Sequence, residues 1–140
     1  MLVTTKGRYA MRLMVNIASR GAGKKVALRE VAESEGISLK YSEQLAHALM
    51  EAGLLVSVRG HGGGYMLAVD AAEIKAGDVL RAVEGTTVPV ACAGLDSGCP
   101  REEVCSTISF WAGLDRVIED YVDGVTLEQL VDAPKLQEAE

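Results

Sequence analysis

The sequence predicts a mainly α-helical chain with one small β-hairpin. Apolar residues recur at helical spacing in several segments that end in glycine. Two runs of β-branched and apolar residues flank a single glycine-rich stretch, Arg59-Gly60-His61-Gly62-Gly63-Gly64. The length of 140 residues, with 49% hydrophobic and 24% charged residues, suits one ordinary domain and excludes a disordered polymer. No apolar stretch approaches the roughly 20 residues that span a bilayer. The segment Met1 to Arg8 lacks the apolar core of a signal peptide. The expectation is a cytoplasmic protein that does not enter membranes.

The first helix runs from about Lys6 to Arg20, with Ala10, Leu13, Met14, Ile17 and Ala18 inward. Thr4 or Thr5 caps its start, and Gly21 and Gly23 stop it. The second is short, Leu28 to Glu35, and ends at Gly36. Ser38 is a natural N-cap for a third helix from Leu39 to Ala52. Its expected apolar stripe is Tyr41, Leu45, Ala48, Leu49 and Ala52. Leu54–Val58 and Tyr65–Val69 form the hairpin. Asp70 to Glu84 reads as a fourth helix, with Ile74, Val79, Leu80 and Val83 inward. Residues 85–105 show little periodicity. A long helix follows from near Ser106 to near Asp123. In it Trp111, Leu114, Ile118, Tyr121 and Val125 step by 3, 4, 3 and 4, a short heptad seam that suits a dimerisation helix. Thr126 with Gln129 forms a capping box for a last short helix.

Two helices joined through Gly36 make a helix-turn-helix, and a hairpin directly after it makes the unit a winged helix. The second helix of such a pair enters the DNA major groove. Its outer face carries Lys40, Glu43, Gln44 and His47, side chains suited to base edges and phosphates. The wing tip carries Arg59 and His61 among glycines, and arginine suits a narrow, electronegative minor groove. The glycine run is no nucleotide fingerprint, because Tyr65 stands where a dinucleotide loop needs glycine and a strand follows rather than a helix.

The net charge of −6 speaks against nucleic acid only when averaged over the chain. Residues 1–68 hold nine bases and five acids, a balance of +4, while residues 69–140 hold five bases and fifteen acids, a balance of −10. The basic half coincides with the winged helix.

All three cysteines, Cys92, Cys99 and Cys105, lie within fourteen positions of the aperiodic segment. An odd number argues against structural disulfides, and the absence of a CxxC pair argues against structural zinc. Thiolates at wide, irregular spacing suit an iron–sulfur cluster, which normally takes four protein ligands. Three free thiols, or two that pair reversibly, are the alternative. No enzyme is expected, since neither His47 nor His61 has an adjacent nucleophile–acid arrangement.

With these motifs in hand, the chain resembles the Rrf-type winged-helix transcription regulators, closest to their iron–sulfur cluster regulators. The carrying segments are Thr5-Lys6-Gly7-Arg8-Tyr9-Ala10, Gly36-Ile37-Ser38 with Tyr41 and Glu43-Gln44-Leu45, and Ser57 to Tyr65 of the wing. The cysteine loop and Thr126-Leu127-Glu128-Gln129-Leu130 complete the set, about residues 2–132. The resemblance implies a homodimer on a roughly palindromic operator of double-stranded DNA. It implies DNA contacts from Lys40, Tyr41, Glu43, Gln44, Arg59, Gly60 and His61, and cluster ligation by Cys92, Cys99 and Cys105. It also implies a cluster that senses iron–sulfur status, redox state or nitric oxide.

Two departures bear on the fourth ligand. Cluster-binding relatives supply a histidine three residues after the last cysteine, where this chain has Ile108, or an aspartate from the partner's first helix, where it has Arg8. Glu43, Asp96, Glu102, Glu103, Ser106, water or a small thiol remain as candidates. The N-terminal and wing motifs favour a 2Fe–2S cluster, and the missing histidine leaves 4Fe–4S open. The expected organisation is a winged-helix domain over 1–85, a cluster loop over 86–105, a dimerisation helix and closing helix over 106–132, and a flexible tail over 133–140. A clusterless thiol-redox regulator and a protein-binding module are the other readings.

Overall fold

The computed structural model describes residues 3–87, 89 and 104–134. Six helices and one hairpin follow in order: α1 Thr5–Ser19, α2 Leu28–Glu35, α3 Leu39–Glu51, β1 Leu55–Val58, β2 Gly64–Leu67, α4 Ala76–Glu84, α5 Ile108–Gly124 and α6 Leu127–Val131. The strands are antiparallel, with Leu55 opposite Leu67 and Val58 opposite Gly64. Among the described residues no helix is long and apolar enough to cross a membrane. The architecture is the expected one, mainly α with a small hairpin.

One core joins the hairpin and every helix but α5. Leu13, Met14 and Ile17 of α1 meet Val31 of α2, Leu45 and Leu49 of α3, Leu55 of β1, Val79 of α4 and Leu127 of α6. Removing such side chains from water is the main favourable term in folding. Gly36 ends α2 in the left-handed region at φ 68°, and Ile37 N donates to Ala32 O at 2.9 Å, which turns the chain sharply into α3.

Three expectations are corrected. The inward face of α3 is Ser42, Leu45, Ala46 and Leu49, while Ala52 is exposed and Tyr41 and Ala48 are only half-buried. The small Ser42 and Ala46 sit inside because α3 packs against α1, α2 and α4 together. The fourth helix begins at Ala76, not Asp70. Asp70 closes a turn instead, its carboxylate accepting from Ala72 N at 2.9 Å and its carbonyl from Glu73 N at 2.9 Å. The backbone that follows is engaged by the end of the chain: Ala76 N donates to Val125 O at 2.8 Å, and Leu127 N to Ile74 O at 2.8 Å. The seam of the long helix also stops short. Val125, its last residue, lies beyond α5 in extended conformation.

Two polar ties fix the helices to one another. Glu84, at the end of α4, accepts from the Thr4 hydroxyl at 2.6 Å, Thr4 N at 3.0 Å and Gly7 N at 2.9 Å, so its carboxylate caps the start of α1. The Thr4 hydroxyl, followed by the backbone donors, holds the Glu84 carboxyl below its ordinary value of 4.5. Arg81 of α4 donates to both carboxylate oxygens of Asp123 on α5, at 2.8 and 2.7 Å. That pair lies directly on Gly77, where a Cβ would stand 2.2 Å from Asp123 Oδ1.

Gly77→Ala is therefore expected to separate Arg81 from Asp123 and to cost about 1–3 kcal/mol, the range for overpacking; an unchanged melting temperature would refute this contact. Because the folded carboxyl of Glu84 is more acidic than in the unfolded chain, its contribution is complete above pH 4.5 and is lost as pH falls through the lower folded value. Glu84→Gln should thus lower stability at neutral pH and flatten its decline on acidification, followed as melting temperature against pH.

Candidate nucleic-acid interface and cysteine segment

The recognition surface is built on α3. Its first turn is fixed by Ser38, whose hydroxyl accepts from Tyr41 N at 3.2 Å. With Leu45 and Leu49 held inside, Lys40, Glu43, Gln44 and His47 fall at helical spacing on the exposed side. His47 Nε2 lies 3.1 Å from Glu51 Oε1 one turn on. Tyr41 differs from these four. It is half-buried, and its ring meets Tyr9 of α1 edge-on at 5.9 Å between centroids, with the Arg12 guanidinium 5.4 Å over Tyr9. The tyrosine pair seats α3 against α1, and this positioning role was not legible from sequence spacing. Lys6, Tyr41, Gln44, Ala48 and Val83 line a small recess beside it, which brings the start of α1 next to the recognition helix.

The wing is the hairpin β1–β2 with residues 59–63 at its tip, and Arg59, Gly60 and His61 are all exposed there. Gly60 and Gly62 take φ of 99° and 77°, conformations that side-chain-bearing residues resist. At Gly63 the constraint is space: a Cβ would lie 2.1 Å from Val58 O. The backbone can fold this tightly only because it is bare, and that leaves Arg59 and His61 as the side chains at the tip.

Of the cysteines, Cys105 lies among the described residues and Cys92 and Cys99 outside them. Cys105 is half-buried just ahead of α5, its sulfur 3.1 Å from the Thr107 hydroxyl. Ile108 is the first residue of α5, and an alkyl side chain there offers no ligand. Glu43 and Arg8 are exposed on α3 and α1, and Ser106 is exposed beside Cys105. Asp96, Glu102 and Glu103 lie outside the described residues. Thiolates are the protein donors that iron–sulfur clusters take, and Cys105 is the one of the three that the described residues place.

Gly63→Ala is expected to distort the tip and weaken DNA binding while the helices stay intact. Electrophoretic mobility shifts beside a thermal melt check this, and undiminished binding would remove the wing from the interface.

The comparisons with known proteins agree with this geometry. The sequence model of the Rrf2 family, described as an iron-dependent transcriptional regulator, matches residues 3–133. The chain is 40% identical over 131 residues to the HTH-type transcriptional regulator IscR of Serratia proteamaculans, covering 94% of this chain and 79% of that protein. Among solved structures it is similar to CymR, the global cysteine regulator of B. subtilis, with TM-score 0.78 and 31% identity over 96% of this chain and 99% of that one. It is likewise similar to T. potens IscR, with TM-score 0.75 and 35% identity over 100% and 89%. The relatives are named transcriptional regulators rather than enzymes. The chain belongs to the Rrf2 family and is a DNA-binding, winged-helix transcription regulator.

Proposed function

We propose that this regulator is a homodimer that senses iron–sulfur cluster status, redox state or nitric oxide through a cluster held by Cys92, Cys99 and Cys105, and that it acts in the cytoplasm. The observation that carries the reading is the confinement of every cysteine to one segment ending at the foot of α5, in a chain 40% identical to an IscR regulator. A bound cluster, 2Fe–2S in preference to 4Fe–4S, supplies one-electron chemistry and sensitivity to oxidants and nitric oxide. The protein's part is to hold it and to transmit its presence. Cys105 precedes α5 by three residues, so a group held by the cysteines bears directly on the start of that helix. Gain or loss of the group shifts DNA binding only through a difference in binding free energy between two arrangements. With Ile108 and Arg8 at the positions where relatives place a fourth ligand, that ligand comes from Glu43, Asp96, Glu102, Glu103, Ser106, water or a small thiol.

The dimer forms through α5. Phe110, Val117 and Tyr121 are 63%, 65% and 72% exposed on it, an apolar surface suited to a second copy. Two winged helices then meet a roughly palindromic operator. Lys40, Glu43 and Gln44 face bases and phosphates in the major groove, Tyr41 seats the helix, and Arg59, Gly60 and His61 enter the minor groove.

Similarity to CymR, solved in an oxidized form from Staphylococcus aureus at 35% identity, favours a second reading in which the thiols respond to oxidants without a cluster. Iron and sulfide counts on protein isolated without oxygen separate the two. The cluster reading expects visible absorption that Cys92→Ala weakens together with a change in DNA affinity. A variant with wild-type absorption and affinity would sink it.

A further inference from the structure

The charge of the winged-helix half is not evenly neutralised. Arg12 pairs with Glu35 at 3.1 Å and Arg20 with Glu30 at 2.7 Å. Among the described residues, no ion pair engages Lys24, Lys25, Arg29, Lys40 or Arg59. Lys40 and Arg59 belong to the recognition helix and wing tip already described. Lys24, Lys25 and Arg29 do not.

Their position is fixed by backbone pairing. Val26 forms an isolated antiparallel bridge with Tyr65 of β2, each backbone N donating to the other's carbonyl at 2.8 Å. The hairpin thereby gains a third short edge. Because the bridge is antiparallel to β2, which runs away from the tip, the chain from Lys24 to Ala27 runs toward the tip. The approach is close: a Cβ on Gly64 would lie 2.5 Å from Val26 O and 3.2 Å from Ala27 N. The first turn of α2 therefore begins level with Gly64, where the wing leaves the body of the protein. Val26 is buried, so alternation turns Lys25 outward, and Lys24 is exposed beside it. On α2, Leu28, Val31 and Ala32 are buried and Arg29 faces water. Of the acids on that helix, Glu30 and Glu35 are held by Arg20 and Arg12. Glu33 stands one turn beyond Arg29 without an ion pair to it.

We propose that Lys24, Lys25 and Arg29 form a basic edge along the wing that holds the DNA phosphate backbone, a contact separate from the recognition helix and the wing tip. This extends the DNA-binding reading and rests on it. The three side chains carry positive charge from the tip, at Arg59, along the outer margin of the hairpin to the loop between α1 and α2. Such contacts are blind to sequence. They add affinity and register, and they make binding more sensitive to salt, since each neutralised phosphate releases counterions.

The test compares wild type with Lys24→Gln/Lys25→Gln and with Arg29→Gln, binding mixed-sequence duplex DNA over a series of salt concentrations. All three side chains are exposed, so the variants should melt as wild type does. The expected result is a slope of log affinity against log salt that becomes shallower by about 0.9 for each phosphate contact removed. A slope equal to that of wild type overturns the proposal, as does weaker binding at an unchanged slope. Wild-type protein that does not bind DNA at all would overturn the DNA reading itself, an outcome distinct from wild-type binding that the variants share.

Discussion

The ion pair between Arg81 and Asp123, laid across the bare backbone of Gly77, ties the long helix to α4. α5 has one buried side chain, Val122, and apolar residues along much of its length remain open to water. Its direction is therefore fixed at its C-terminal end, where Asp123 meets α4 and the following residues pair with the segment before α4. Both contacts come from the one Nη2 nitrogen of Arg81, a charge-assisted hydrogen bond shared between the two carboxylate oxygens. Together with the flanking backbone hydrogen bonds it holds α5 in a defined attitude to the winged helix. Cys105 lies ahead of α5 at the opposite end of that helix.

The winged-helix half is organised around charge that is partly used and partly free. Arg12 and Arg20 are consumed in holding α1 to α2, and Glu84 is consumed in capping α1. The bases that remain lie at the start of α1, on α3, and on the wing and its outer edge. A net charge of −6 thus describes no surface of the molecule. The acids concentrate in the C-terminal half, where their repulsion by phosphates favours one orientation on DNA.

Much of this was legible in the sequence, and each success had a local cause. Gly36, Ser38 and the Thr126–Gln129 capping box act within a few residues, and the structure places their turns and caps where the pattern put them. The wing was readable because its glycines sit between two apolar runs. Misreadings came from contacts between distant residues. The helix expected from Asp70 loses its first turn because residues 71–76 give their backbone groups to residues 125–128. Tyr41 carries helical periodicity, but nothing in spacing announces Tyr9 as its ring partner. Gly7 and Gly77 look like weak points in helices, yet each is where another element's carboxylate comes closest, Glu84 and Asp123 respectively. Such long-range requirements leave no trace in a window of neighbouring residues.

Leu127 is fully buried in the same cluster as Leu13, Leu49 and Val79. A DNA-binding half encoded within the first 85 residues therefore lacks a core side chain until residue 127 has been made. As synthesis proceeds from the N-terminus, the winged helix must wait with Ile74 and its neighbours uncovered. Completion of that core is tied to the synthesis of α6. A chain that stops before α6 would leave the ribosome with the recognition helix present but its foundation open.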